Sequence, residues 1–511
     1  MTSFLIGIDV GTTGSKALLI DEAGAVRASA ITEYPLNAPH PLWSEQNPEE
    51  WWNATVQSTR EILQAPGVDP ARVAGIGLTG QMHGLVLLDA HGTVLRPSIL
   101  WNDQRTAVEC AEITSLIGAE RVLQLTGNPV LPGFTAPKIL WVRKHEPDVY
   151  RRTAKFLLPK DYVRYRLTGT YGGDVSDASG TSLFDVGKRN WSLEMLRALE
   201  IPESWVAEVA ESPEVTGRVT YPAAEATGLP VGTPVVAGAG DQAAQAVGTG
   251  IVDEGVISVT IGTSGVVFAG SRSFRVEPEG RLHAFCHAVP GMWHLMGVML
   301  SAGGSFRWYR DTIGDLEKRE AQALKKDAYD LLIEPVAAVP AGSEGLLFLP
   351  YLTGERTPYP NPNARGVFFG LTIRHTKAHL TRSVMEGVTF GLRDSLELMR
   401  GLGIAAREVR ASGGGARSPV WRQMMSDIFS TAITTVRVTE GAAYGAALLA
   451  GAGVGVYRSV PDACACVVKT GGTTHPQRKD SAYEELYRRY QSLYHALIDE
   501  FDAMSRLTRS A

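Results

Sequence analysis

Cysteine is scarce in this chain, and long apolar runs are missing. The 511 residues include only four cysteines, which are Cys110, Cys286, Cys464 and Cys466. They are too few and too scattered for a disulfide framework, so a reducing cytoplasm is the simplest location. No segment approaches the roughly 18 consecutive apolar residues of a membrane span. Asp9 also interrupts the first apolar run, unlike an ordinary secretion signal. The sequence therefore predicts a cytoplasmic protein with no membrane partner.

A surplus of positive charge is missing as well. Lysine and arginine number 49 against 54 aspartate and glutamate residues, which gives a formal net charge of −5. This balance offers no basic field, so a nucleic-acid partner is not expected. Two common nucleotide signatures are also absent: G-x-x-x-x-G-K-[ST], and G-x-G-x-x-G opening a helix after a strand. A nucleotide enzyme with this sequence has to hold phosphate in another way.

One turn motif occurs twice in the chain. Each copy is an apolar, β-branched run, a glycine-bounded polar turn and a second apolar run, which predicts a hairpin. The turn residues are Gly11, Thr12, Thr13 and Gly14 in the first copy and Gly262, Thr263, Ser264 and Gly265 in the second. Two such turns facing one another would present backbone N–H groups and hydroxyls from both sides. The pair is therefore a candidate cradle for nucleotide phosphates.

Two carboxylates stand at predicted strand ends. Asp9 directly precedes the first turn, where it could hold the Mg²⁺ ion that accompanies a phosphate chain. Asp241 follows a strand and is surrounded by the small residues Gly238, Gly240 and Ala243, which leave room for a ligand. A carboxylate there could accept the proton of a sugar hydroxyl during phosphoryl transfer. Capping of the following helix by Asp241 is an equally sound interpretation.

Other polar groups and glycines follow further predicted strands. Gln81 and His83 lie in a loop and could hydrogen-bond sugar hydroxyls, although most histidines in such loops satisfy backbone groups. The segment Trp101–Asn102–Asp103 supplies the aromatic and polar groups of a sugar site, although Trp101 could equally belong to the core. The stretch Gly413–Ala416 could let a flat base lie against the backbone, or could be a tight turn.

Strands alternate with helices along both halves, which predicts a mixed α/β sheet in each. The dipeptide Asn47-Pro48 predicts a capped helix start. At 511 residues the chain is too long for one ordinary core. Two domains are therefore expected.

Two long segments, Gly133–His145 and Gly366–Glu386, match signature patterns, and through them the chain resembles the FGGY family of carbohydrate kinases. The resemblance runs over nearly the whole length. It implies membership of the actin, hexokinase and heat-shock ATPase superfamily, with two RNase H-like α/β domains and a catalytic cleft between them. We expect an N-terminal domain over residues 1–245 and a C-terminal domain over 246–511, the latter ending in a helix. Sugar and ATP would meet in the cleft.

The resemblance also implies roles for individual residues. Asp241 corresponds to the general base, and Asp9 and Asp241 to the carboxylates near Mg²⁺. The implied sugar contacts are Gln81, Met82, His83, Trp101, Asn102, Asp103 and Gln242. The implied ATP contacts are Gly11, Thr12, Thr13, Gly14, Gly262, Thr263, Ser264, Gly303, Gly414, Gly415 and Ala416. Lys138 falls within a signature, and we expect it to form a structural ion pair.

Within the family, the likeness is to members that act on D-xylulose. It is carried by Pro41–Gln46, Gln81–Gly84, Leu100–Asp103, Leu158–Tyr162, Phe285–Ala288 and Gly354–Pro358. It implies transfer of the γ-phosphate of ATP to the 5-hydroxyl of D-xylulose, giving D-xylulose 5-phosphate and ADP. The residue after the base is often asparagine in those members, but here it is Gln242, one methylene longer. Gln245 also replaces an expected small residue. A methylene-sized change alters discrimination by roughly 1 to 3 kcal/mol, so the preferred ketose stays open.

Three alternatives remain at this point. The first is a kinase for ribulose, L-xylulose, erythritol or glycerol. The second is a non-catalytic sugar or nucleotide sensor, which should have lost Asp9 or Asp241. The third is an actin-like or chaperone ATPase, which should carry an added peptide-binding domain. A homodimer is also among the expectations.

Overall fold

The computed structural model describes residues 3–437, 440–477 and 481–509. It contains two seven-stranded sheets, whose strands are β1 to β14 in chain order. The first sheet contains β1 (Phe4–Val10), β2 (Gly14–Asp21), β3 (Val26–Glu33), β4 (Val73–Gly80), β5 (Val215–Arg218), β6 (Pro234–Val236) and β7 (Ala239–Gly240). The second contains β8 (Val256–Ile261), β9 (Gly265–Ser271), β10 (His283–Cys286), β11 (Trp293–Met299), β12 (Glu408–Gly413), β13 (Ile433–Val436) and β14 (Thr470–Thr474).

The two sheets share one plan. In the first, the order is β5-β6-β4-β1-β2-β3, with β7 also pairing with β4; β1, β2 and β3 form an antiparallel meander, and β1 pairs in parallel with β4. In the second, the order is β10-β11-β9-β8-β12-β13-β14; β8, β9 and β11 are antiparallel, and β8 pairs in parallel with β12. Both predicted hairpins are confirmed as β1–β2 and β8–β9. The α/β prediction with two sheet-containing domains is confirmed.

Helices cover the sheets. The α-helices of the first half are Pro48–Leu63, Ala107–Ile117, Ala119–Thr126, Thr135–His145, Pro147–Arg152, Pro159–Thr168, Val175–Ala178, Leu193–Ala198, Tyr221–Thr227 and Asp241–Gly248. Those of the second half are Gly303–Ile313, Asp315–Leu324, Ala328–Ile333, Lys377–Gly401, Pro419–Phe429, Gly441–Gly453, Val460–Val467 and Ser481–Arg509. The predicted cap at Asn47 is confirmed, because its side chain accepts from the Glu49 N–H at 3.1 Å. None of the described helices combines the length and apolar character that a bilayer crossing requires.

Five small two-stranded sheets lie outside the large ones. They pair Glu45–Gln46 with Ser98–Ile99, Val86–Leu88 with Lys155–Leu157, Gly173–Asp174 with Val209–Ala210, Phe184–Asp185 with Asn190–Trp191, and Leu347–Leu349 with Val367–Phe369.

Two helices join the halves of the molecule. The helix Asp241–Gly248 packs against the helix Gly441–Gly453, which also covers β1 and β4. The approach is close enough to require glycine: a Cβ at Gly445 would lie 1.8 Å from the Ala244 carbonyl oxygen. A helix from the second half therefore completes the layer over the first sheet. The predicted boundary near residue 245 falls within the first of these two helices and stays a prediction.

Candidate functional site

The two candidate carboxylates lie at the same end of the first sheet. Asp9 on β1 pairs with Thr79 on β4, and Ala239 on β7 pairs with the other side of Thr79. Asp241 begins the helix immediately after β7. Burial and the nearby charge of Asp9 raise the pKa of Asp241 to about 7. Burial also raises the pKa of Asp9 to about 6, against the opposing effect of Lys16. The sheet thus brings the two acids close to each other.

This acidic pair fits a divalent cation. The Asp9 carboxylate accepts no hydrogen bond within the described residues, and the Asp241 carboxylate accepts from Gln242, whose backbone N–H lies 2.7 Å from Oδ1. Nearby Lys16 is paired instead with Glu440, at the start of the helix Gly441–Gly453. Across the described part of the chain, no group of three or more acidic, histidine or cysteine side chains could hold a metal. Two carboxylates suit Mg²⁺, which takes its other oxygen ligands from water and phosphate.

The first glycine turn is held by side chains from four places in the chain. A hydrogen bond from the Gly11 N–H to the Gly14 carbonyl at 3.1 Å closes the turn. The Tyr34 hydroxyl donates to the Gly11 carbonyl at 2.5 Å. The Gln46 amide donates to the Thr12 carbonyl at 2.7 Å. These contacts fix the turn while leaving the Thr13 side chain exposed beside it.

Gln81 and Trp101 complete this support. The Gln81 amide donates to the Gly11 carbonyl at 3.3 Å and to Gln46 Oε1 at 2.9 Å. The Trp101 indole N–H donates to the Thr12 hydroxyl oxygen at 3.0 Å. Gln81 is buried, so the structure places it behind the turn rather than in an open sugar pocket. Trp101 is 44% exposed and is not part of the core.

The second glycine turn is held by main chain. The Gly262 N–H donates to the Ser264 carbonyl at 3.0 Å. Two N–H groups at the start of the helix Gly303–Ile313 also donate to the turn. The Gly303 N–H donates to the Gly262 carbonyl at 2.8 Å, and the Gly304 N–H donates to the Thr263 carbonyl at 2.9 Å. A Cβ at Gly303 would lie only 2.4 Å from the Gly262 carbonyl oxygen. The side chains of Thr263 and Ser264 are exposed, as a phosphate-binding turn requires.

A cavity of about 680 Å³ opens beside the second turn. Its walls include the predicted ATP residues Gly262, Thr263, Gly303, Gly414 and Gly415, together with Phe306, Tyr329, Ser418 and Trp421. Apolar and aromatic walls with a few polar groups are typical of a site for a flat base. Sequence reasoning missed those aromatic residues, because they come from separate helices without a shared motif.

A second cavity of about 540 Å³ adjoins the first across Gly414 and Arg417. Ala416 lines this second cavity together with Gly413 and Gly414, so its predicted contact with ATP stays a prediction. Gln245 lines it too. The same cavity is lined by Thr260, Ala411 and Ser412 of the second sheet, and an effect of Gln245 on the preferred ketose stays a prediction.

His83 is held as a neutral hydrogen-bond acceptor. Its Nδ1 lies 2.6 Å from the Gly180 carbonyl oxygen, so that nitrogen carries the proton and Nε2 is left to accept. Burial lowers the pKa of His83 to about 3, which excludes the imidazolium at neutral pH. The ring stacks on Phe134 at 4.5 Å between centroids. A sugar hydroxyl is a suitable donor for the remaining nitrogen.

Three other predicted sugar contacts differ in whether their polar or apolar atoms are already engaged. Met82 packs near Gly240, 3.0 Å from where a Cβ on that glycine would lie. Asn102 Oδ1 is buried without a hydrogen-bond partner in the described part of the chain, which suits an incoming hydroxyl donor. The side-chain amide of Gln242 interacts with the Asp241 carboxylate and helps to lower its pKa against the larger effect of burial.

Two expectations for this region are corrected. Asp103 is fully buried, and its carboxylate accepts from the Ser44 N–H at 2.6 Å and from the guanidinium of Arg105 at 2.7 Å. The structure therefore does not bring Asp103 to a sugar pocket. Lys138 forms no ion pair with the described residues; its ammonium donates instead to the carbonyls of His83 at 2.9 Å and Gly133 at 2.7 Å.

Several supporting residues were not found from the sequence. Tyr34, Gln46 and Lys16 bind or flank the first turn, and Gly180 binds His83. Gln46 stands within a segment that carried the family likeness, which is the only signal that pointed to it. Lys16 lies within the first hairpin itself, where no chemistry was assigned to it, whereas Tyr34 and Gly180 lie outside the motifs.

Comparison with known proteins adds a family assignment for both halves. A model described as "FGGY family of carbohydrate kinases, N-terminal domain" matches residues 4–248, and the corresponding C-terminal domain model matches residues 257–454. These matches cover most of the chain, and they divide it between the two sheets.

Similar proteins are named as sugar kinases. The chain is 46% identical to a xylulose kinase of Escherichia coli over 83% of this chain and 84% of that protein. It is 38% identical to a xylulose kinase of Bacillus subtilis over 96% of each. A crystal structure of xylulose kinase from Rhodospirillum rubrum superposes with a TM-score of 0.91 at 34% identity, covering 98% of this chain and all of that one.

Proposed function

Because the chain belongs to the FGGY family of carbohydrate kinases, we propose that it transfers the γ-phosphate of ATP to the 5-hydroxyl of D-xylulose. The products are D-xylulose 5-phosphate and ADP. The observation that carries this proposal is Asp241, a carboxylate whose pKa is raised to about 7, beside Asp9 at the sheet end that bears the first glycine turn. The names of the relatives, aligned over nearly their whole length, support the choice of ketose.

Asp241 is the general base of the proposed reaction. Its carboxylate takes the proton of the 5-hydroxyl as the hydroxyl oxygen forms a bond to the γ-phosphorus. The bond from the γ-phosphorus to the bridging oxygen breaks at the same time, and the electron pair leaves with ADP. A base with a pKa near 7 is half ionised at neutral pH. A large fraction of the carboxylate is therefore in the ionised form that accepts a proton, and that form is a stronger base than an ordinary carboxylate. Neutral His83 orients the ketose by accepting from another hydroxyl.

Asp9 is the proposed Mg²⁺ ligand, with Asp241 close by. When bound, Mg²⁺ would neutralise charge on the phosphate oxygens during transfer. The glycine turns contribute N–H groups and the hydroxyls of Thr13, Thr263 and Ser264 to the phosphates. The cavity beside Gly414 takes the adenosine.

The identity of the ketose is the most specific part of the proposal. Gln242 contacts Asp241 through its amide, so its length affects both the base and the adjacent sugar space. Ribulose and L-xylulose therefore remain substrates to compare. Cytoplasmic location and a homodimer also remain predictions.

The decisive experiment measures sugar-dependent ADP release with Mg-ATP across pentuloses, hexuloses and polyols. Rapid turnover on D-xylulose, lost in Asp241→Asn, supports the proposal. Asp253→Asn is the matched control, because Asp253 is a partly exposed ion-pair residue far from the first turn in sequence. Preference for another sugar would overturn the choice of ketose, and turnover without sugar dependence would overturn the kinase reaction.

A further inference from the structure

Behind Asp241 lies a buried cluster of one lysine and three aspartates. Lys160 Nζ is 2.5 Å from Asp161 Oδ1, 2.8 Å from Asp174 Oδ1 and 3.5 Å from Asp177 Oδ2. All four residues are buried. Such a cluster is costly to desolvate, and one cation cannot balance three carboxylates. Burial accordingly raises the pKa of Asp177 well above its usual range, and the charge of Asp241 is among the further causes.

One serine links the cluster to β7, the strand that directly precedes Asp241. Asp174 Oδ2 accepts from the Ser176 N–H at 2.8 Å and from its hydroxyl at 2.6 Å. The Ser176 oxygen in turn accepts from the Gly240 N–H at 3.1 Å. Gly240 is the last residue of β7 and directly precedes Asp241. An ion pair from Lys160 to Asp174, followed by hydrogen bonds through Ser176, therefore connects the cluster to the backbone before the base.

The hydrogen bond to Ser176 supplements a short strand pairing at Gly240. β7 pairs with β4 along only two residues, and the Gly240 N–H donates to the Ser176 hydroxyl oxygen. The φ and ψ angles of Gly240, −58° and 152°, turn the chain from strand into helix. The direction of the Asp241 side chain depends on this turn.

We propose that Ser176 is a positioning residue for Asp241, anchored by Asp174 and the buried Lys160 cluster. This inference rests on the proposed function, because it assumes that Asp241 is the base. Ser176 touches neither sugar nor nucleotide in this arrangement. It acts by fixing Gly240, so that the carboxylate stays aligned with the hydroxyl while the proton is transferred.

The segment that bears Ser176 also contacts other parts of the site. Four residues later, the Gly180 carbonyl accepts the proton of His83 Nδ1. Between them, the Ser179 hydroxyl oxygen accepts from the Cys286 N–H of β10, in the second sheet, at 3.0 Å. The short buried segment from Ser176 to Gly180 therefore contacts the residue before the base, the histidine and the second sheet.

Ser212 provides a matched control for Ser176. Its hydroxyl donates to the same oxygen, Asp174 Oδ2, at 3.1 Å, and it is equally buried. Its hydroxyl makes no contact with Gly240. Replacing either serine by alanine removes one hydrogen bond to Asp174, but only the change at Ser176 also releases the Gly240 N–H.

The test compares Ser176→Ala and Ser212→Ala in steady-state assays with D-xylulose and Mg-ATP. We expect Ser176→Ala to lower kcat about tenfold while both KM values stay within about twofold. Ser212→Ala should keep kcat within about twofold of the unaltered enzyme. Ser176→Thr keeps the hydroxyl and should recover most of the lost kcat. Urea unfolding of each variant measures the structural cost separately.

Equal kcat losses in Ser176→Ala and Ser212→Ala would overturn the positioning role, as would a change confined to KM. This comparison needs no result from Ser176→Thr, should the extra methyl prevent folding. Absence of sugar-dependent turnover in the unaltered protein would instead overturn the proposed function, and the role of Ser176 with it. An active enzyme that loses turnover in Asp241→Asn separates these two failures.

Discussion

The two glycine turns share a sequence pattern but are stabilised in different ways. The turn at Gly11–Gly14 is held by side chains of Tyr34, Gln46 and Gln81, which come from distant elements. The turn at Gly262–Gly265 is held by backbone N–H groups at the start of a helix. The support of the second turn therefore depends on the backbone at Gly303 and Gly304, whereas the support of the first depends on the identity of side chains. Trp101, a predicted sugar contact, also donates to the first turn.

The largest effect should follow from disturbing the main-chain support of the second turn. Gly303→Ala places a Cβ 2.4 Å from the Gly262 carbonyl oxygen, so the turn must shift. We expect kcat/KM for ATP to fall about 10²-fold, because misplacement by about 1 Å is that costly. Gly401→Ala is the control, since no atom lies within 4 Å of its added Cβ. An unchanged kcat/KM in Gly303→Ala would show that the turn does not position ATP.

The carboxylates near the first turn should give the next largest effect, through pH. Asp241, with a pKa of about 7, must be ionised to accept a proton, so protonation removes activity. We expect kcat/KM for the sugar to fall about tenfold per pH unit below pH 7, and more steeply below about 6, where Asp9 also protonates. Tryptophan fluorescence at each pH checks that the protein stays folded. A flat profile between pH 6 and 8 would contradict the role of Asp241.

Removing side-chain support from the first turn should have a smaller effect. Gln81→Leu leaves the Gly11 carbonyl and Gln46 without this partner, which should cost about 1 to 3 kcal/mol of stability. We expect kcat/KM to fall about tenfold for both ATP and sugar, because the turn is displaced. Gln124→Leu, at an exposed pair, serves as the control. A rise in the sugar KM alone would identify Gln81 as a direct sugar contact instead.

The smallest effect should come from the ion pair between the halves. Glu440→Gln frees Lys16, which lies opposite Asp9 on the first hairpin. Both side chains are more than a quarter exposed, so we expect a loss of at most about 1 kcal/mol in unfolding free energy. Glu344→Gln breaks a comparable surface pair with Arg374 and is the control. A loss of several kcal/mol in Glu440→Gln would show that the pair is a principal link between the halves.

Sequence reasoning succeeded where the signal is local. The two hairpins follow from apolar runs around glycine turns, and the placement of Asp9 and Asp241 at or just after strand ends follows from the apolar runs before them. It did not predict side-chain partners from remote segments. The Asp103 carboxylate accepts hydrogen bonds from Arg105 and Ser44. The surroundings of Gln245 depend on how its helix packs against the second sheet. The support of the first turn by Tyr34 has no local signal at all.

The helix Gly441–Gly453 has a consequence for biosynthesis. It covers β1 and β4, and Lys16 and its partner Glu440 are 424 residues apart. The last strand of the first sheet ends at Gly240, and this helix begins at Gly441. A ribosome adding about 5 to 20 residues per second needs roughly 10 to 40 seconds to make the ~200 residues between them. During this time the face of the first sheet that this helix covers lacks part of its native cover, and a release of the chain before residue 441 would leave that face open to other nascent chains.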